Sequence, residues 1–113
     1  MSNHFHLLLR QRTEGGIVKF MRRIGVGYAN YFNTKNERTG ALFEGRYKSV
    51  HVVREAHLLY LPHYIHLNAL DIWKPGWKES GVGDMRAAID FLETYRWSSF
   101  LDYSGMPNFP SVT

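Results

Sequence analysis

The sequence predicts an α+β domain. Two runs read as extended structure, HFHLLLRQ (residues 4–11) and ALFEGRYKSVHVV (residues 41–53), and three stretches carry apolar residues at helical spacing. At 113 residues the chain is long enough for one small core, so residues 1–113 are expected to form one domain.

In chain order, HFHLLLRQ is the first expected strand and TEGG the turn that ends it. In a strand His4 and His6 share a face, with Phe5 turned to the other, because successive side chains alternate. From Ile17 the apolar positions Phe20, Met21, Ile24, Tyr28 and Tyr31 continue a helical stripe to about Asn33, leaving Lys19, Arg22 and Arg23 largely off it. TKNERTG is a polar loop. The second extended run follows, broken near Gly45, and delivers Arg46, Lys48 and His51. A second helix is expected from about Glu55 to Ala69. Pro62 within it predicts a bend or a fresh helix start, because proline lacks a backbone donor. Tyr64 and Asn68, four apart, lie one above the other on that helix. A third helix is expected over Asp84–Thr94, between the glycine-containing KPGWKESGVG and RWSSFLDYSG.

Composition narrows the function classes. With no cysteine there is no disulfide framework and no thiolate zinc site, so a metal here would use His, Asn, Asp or Glu. No apolar run approaches the ~20 residues that span a bilayer, and the N-terminus lacks the basic-then-apolar order of a signal peptide; a soluble, cytoplasmic protein is expected. The net charge of +4 is unevenly spread: residues 1–54 hold ten Lys/Arg against three acids, and residues 55–113 hold four against seven. A basic half interleaved with Tyr28, Tyr31, Phe32, Phe43 and Tyr47 suits single-stranded nucleic acid, whose phosphates meet cations and whose bases stack on aromatic rings. Arg46 and Lys48, with Arg22 and Arg23, read as phosphate contacts; a solvated basic edge is the competing reading.

Five motifs, NHFHLLL, YANYFN, GALFEGRYKS, YIHLN and YRWSSFLDY, resemble in content and order the single-tyrosine transposases of the HUH superfamily, most closely the branch of REP-associated tyrosine transposases. The resemblance implies a ferredoxin-like antiparallel sheet with helices packed on it. The chain begins almost at the histidine motif, with Met1 where the family often has an internal methionine, so the implied sheet lacks the family's first strand and helix. The resemblance also implies that His4 and His6 bind a divalent metal, magnesium or manganese, that Asn68 is the third ligand, and that Tyr64 is the nucleophile. Tyr60 and Tyr47 are the competing tyrosines, and His51, His57, His63 and His66 fall to surface or packing roles.

The implied reaction is metal-dependent cleavage and rejoining of single-stranded DNA, hairpin-containing in this family, through a 5′-phosphotyrosine link. The covalent link conserves the phosphodiester bond energy, so no nucleotide cofactor is needed. A chain that only binds structured single-stranded nucleic acid is the alternative. A homodimer is compatible with the sequence, which leaves open a site built within one chain or across two.

Replacing Arg46 and Lys48 with Ala is expected to weaken DNA binding across sequences. The log–log salt dependence should flatten by about one unit for each phosphate that a removed side chain had neutralised, read by titration at several ionic strengths.

Overall fold

The computed structural model describes residues 3–109; Met1 lies outside them. Six helices form among the described residues: α1 (Gly16–Lys35), α2 (Glu55–Leu67), α3 (Leu70–Trp73), α4 (Trp77–Ser80), α5 (Met85–Thr94) and α6 (Phe100–Tyr103). None is long and apolar enough to cross a membrane.

The expected α+β, ferredoxin-like sheet is not found. No strand forms among the described residues, and residues 4–12 and 46–54 have no regular secondary structure. The physical reason is that a strand exists only as one side of a hydrogen-bonded ladder, and its side-chain preferences express packing on a pleated, half-buried surface. Here no ladder forms, and most apolar residues of these runs stay largely exposed: Phe5 is 48% exposed and Val50 80%.

The chain divides into two compact units, residues 9–51 and residues 1–8 with 52–113. The first is built on α1, which spans about 30 Å at ~1.5 Å per residue. Gln11 Oε1 accepts from the Ile17 amide (3.1 Å), satisfying one of the first-turn donors that a helix leaves unpaired. At the other end Asn36 Nδ2 donates to the Phe32 carbonyl (2.9 Å). Asn33 then ties down the following loop, donating to Gly40 O (3.0 Å) and accepting from Arg38 Nη1 (2.8 Å). No α1 residue is buried, so the predicted stripe of Ile17, Phe20, Met21, Ile24, Tyr28 and Tyr31 is at most partly covered.

The second unit holds the core. Ala69, Leu70, Ala88 and Leu92 are buried, with Trp73, Trp77, Val82, Phe91, Tyr95 and Phe100 packed against them. Ala88 and Leu92 are four apart and so share one face of α5. That helix starts where the sequence places it, with Asp84 Oδ1 accepting from the Ala87 amide (3.1 Å) as an N-cap. Phe91 stacks on Tyr95 and Trp73, at centroid distances of 5.7 and 6.5 Å.

Helix α2 runs through Pro62 as one element, so of the two expectations the fresh helix start is not found. Beyond Leu67 the path tightens into i→i−3 bonds, Ala69 N to His66 O (3.3 Å) and Asp71 N to Asn68 O (3.2 Å), and turns into α3. Gly76 opens α4 with φ 78°, a left-handed conformation that favours glycine, and so sets Trp77 and Lys78 at the start of a new turn.

Leu70, 1% exposed, carries this core. Leu70→Ala is expected to cost about 2–5 kcal/mol, whereas Leu58→Ala, at a half-exposed position of α2, should stay within about 0.5 kcal/mol; urea unfolding of the two variants checks the contrast.

Candidate functional site

The residues singled out for metal binding and nucleophilic attack fall in one unit and those singled out for phosphate contact in the other. Arg22 and Arg23 sit exposed on α1, and Arg46 and Lys48 lie exposed in the irregular segment that follows it. His4, His6, Tyr64 and Asn68 all belong to the core-bearing unit.

The histidine pair survives the loss of the strand. The rings of His4 and His6 stand 5.2 Å apart between centroids, at 88° to each other. Two imidazoles that chelate one ion through bonds of ~2.1 Å place their ring centres about 5 Å apart. Asn3 Oδ1 lies 2.7 Å from His4 Nδ1. An amide oxygen only accepts, so Nδ1 carries the proton and the lone pair sits on Nε2, the arrangement by which an outer partner fixes the tautomer of a ligating histidine. Partial loss of solvent around the exposed His6 ring, then His4 and the Lys78 ammonium, lower its pKa, which favours the neutral imidazole with its lone pair available.

Tyr64 presents its ring edge-on to His6 at 5.8 Å and lies 6.2 Å from Tyr60. The Lys78 ammonium stands 5.6 Å from the Tyr64 ring centroid. One turn on, the Asn68 amide donates to the Tyr64 carbonyl (3.2 Å). The Asn68 side chain is buried, 4% exposed; its Oδ1 accepts from Lys78 Nζ at 3.0 Å, and its Nδ2 has no partner among the described residues. A hollow of about 180 Å³ opens here, lined by Tyr60, Tyr64, Leu67, Trp77 and Lys78. A larger apolar groove of about 530 Å³ along Leu58, Leu59 and Pro62 is lined without Tyr64.

Among the described residues no three His, Cys, Asp or Glu side chains cluster. The imidazoles of His4 and His6 pair, while the Asn68 carboxamide oxygen accepts from Lys78. Neutral donors of this kind would leave a divalent ion's charge free to face a phosphate.

His66 is a packing residue. It is 6% exposed, pairs through Nε2 with Ser99 Oγ (2.8 Å), and meets Tyr103 and Phe100 edge-on at 4.9 and 5.8 Å. Lys78 and Asn3 are the residues that sequence reasoning missed. The signal for Asn3 was its place directly before the histidine motif, an acceptor within reach of the ring. Lys78 carried no such signal: it lies ten residues past Asn68, across two turns, where no helical period connects them.

No family model matches this chain, and neither does any curated protein or solved structure.

Burial, and next to it His63, lowers the His66 pKa below its ordinary 6.5. The unfolded chain therefore takes up the proton first, so the fold keeps this contribution above pH ~6.5 and loses it as pH falls through that value. Thermal melts from pH 8 to 5 should show the midpoint dropping below about pH 6.5, with a smaller drop in His66→Gln.

Proposed function

We propose that the chain cleaves and rejoins single-stranded DNA by a transposase-type reaction, with Tyr64 as the nucleophile. The observation that carries this reading is the convergence, within one compact unit, of residues from motifs about sixty positions apart: the imidazole pair of NHFHLLL beside the tyrosine of YIHLN, with Asn68 one turn further on. A shared packing need does not account for it, because His4, His6 and Tyr64 are all exposed. The grouping also supports a site built within one chain.

His4 and His6, with Asn68, would hold a magnesium or manganese ion, which when bound supplies a Lewis acid for the scissile phosphate. Asn3 holds the His4 tautomer, and the lowered pKa of His6 keeps that ring unprotonated at neutral pH. Tyr64 is 37% exposed, open to a strand approaching from solvent. Its phenol attacks only as the proton leaves, and the Lys78 ammonium stands 5.6 Å from its ring centroid. The new Tyr64 Oη–phosphorus bond replaces the bond to the 3′-oxygen, which departs as a free hydroxyl; the reverse attack by that hydroxyl restores the strand.

The partner in this reading is hairpin-containing single-stranded DNA and the location cytoplasmic. A binding-only function is favoured by the face of α1, where Tyr28 and Tyr31 are 50% and 58% exposed beside Lys35, a surface on which bases stack. Covalent trapping separates the two readings. On single-stranded DNA with manganese, an adduct that survives denaturation should map to Tyr64 and vanish in Tyr64→Phe, which keeps the ring and removes the attacking oxygen. Tyr60→Phe and Tyr47→Phe should retain it. An adduct persisting in Tyr64→Phe overturns the assignment of the nucleophile, and binding without any adduct leaves the binding-only function.

A further inference from the structure

Lys78 is the one cation among the described residues that reaches the Tyr64–Asn68 turn. Its ammonium donates to Asn68 Oδ1 at 3.0 Å, stands 5.6 Å from the Tyr64 ring centroid, and lies 3.7 Å from Asp71 Oδ2. The carboxamide it holds is 4% exposed, so little solvent-facing space is left around Oδ1 for a second cation. Rotating the amide to free that oxygen would turn Nδ2, a donor, toward the ammonium, which is itself only a donor. The orientation of Asn68 is therefore fixed by Lys78.

We propose that Lys78 is a resident cation of this site, competing with the divalent ion for the Asn68 carboxamide oxygen, so that the ion completes its coordination only as the ammonium swings toward Asp71. The proposal rests on the metal-dependent reading above and adds a residue to it. Two effects oppose the ion while Lys78 is in place: the shared oxygen, and repulsion between an ammonium and a divalent cation at neighbouring positions. Asp71, across from Asn68 on α3, is the carboxylate placed to take the displaced ammonium. Lys78 is thus a positioning residue, setting how tightly the site holds its ion and which way the carboxamide faces.

Manganese titrated into the 113-residue chain, with the free ion counted by electron paramagnetic resonance at pH 7.5, tests this without reference to catalysis. Lys78→Met keeps the aliphatic stem beside the Tyr64 ring and removes the charge, and it should bind manganese on the order of tenfold or more tighter than the parent, the scale on which neighbours of metal ligands act. Lys78→Arg, still a cation, should stay as weak as the parent. Lys78→Gln, equally uncharged and more polar, serves should Lys78→Met lose its helical circular dichroism. A second measurement needs no substitution at position 78: magnesium added to lysine-labelled parent protein should shift the Lys78 Cε resonance, and His4→Ala should abolish the shift. Equal or weaker manganese binding by both uncharged variants, with the parent binding, overturns the role of Lys78 and leaves the metal site standing. No binding by the parent or by either uncharged variant overturns the metal site and the proposal with it.

Discussion

The arrangement of the core-bearing unit depends on the burial of one short corner. Among the described residues its buried positions are His66, Asn68, Ala69, Leu70, Ala88 and Leu92, and four of these six fall between positions 66 and 70. Interiors are close-packed, and a corner so buried cannot shift without opening a void or stranding a polar group. The exposed groups of the site hang on this buried stretch. Tyr64 precedes it by one turn of α2, and Lys78 follows it across α3. The small core therefore does two things: it stabilises the unit, and it fixes the nucleophile candidate against the amide.

Three kinds of positive or potentially positive group meet around that corner: the imidazoles of His4 and His6, the ammonium of Lys78, and any ion drawn to the donors. They cannot all be charged at once at close range. In the structure the conflict is resolved by keeping His6 neutral and giving Lys78 two oxygen partners, on Asn68 and Asp71. Placing neutral donors beside a cation keeps the region attractive to a phosphate while leaving ligand lone pairs available.

The sequence was legible where short-range periodicity decides structure. The 3.6-residue spacing of Ile17 to Tyr31, the run from Glu55 and the stretch Asp84–Thr94 place helices that the structure contains, with ends within two residues. The turn relation of Tyr64 to Asn68 was equally readable, since it needs only the helix. The sheet was not. HFHLLLRQ and ALFEGRYKSVHVV have strand-like composition, but a ladder requires a partner at a distance that no local pattern encodes, and among the described residues none pairs with them. The rings of His4 and His6 come together in an irregular segment rather than on the expected strand face. Lys78 and the burial of His66 were illegible for the same reason as the sheet: each is set by what packs from elsewhere, as in the link from His66 to Ser99 thirty-three residues on.

The helical corner also bears on how the site ages chemically. An asparagine turns into aspartate when the next backbone nitrogen attacks its side-chain carbonyl, which requires that nitrogen to be free and the backbone to swing out of helical angles. Asn68 meets neither condition: its φ and ψ are −60° and −25°, and the Ala69 N–H is engaged by the His66 carbonyl. The small residue that follows Asn68 would otherwise leave it open to attack. Were the conversion to occur, the product carboxylate would bind Lys78 as an ion pair, locking the ammonium in place and ending any exchange with another cation. Folding thus hinders this conversion of the neutral amide.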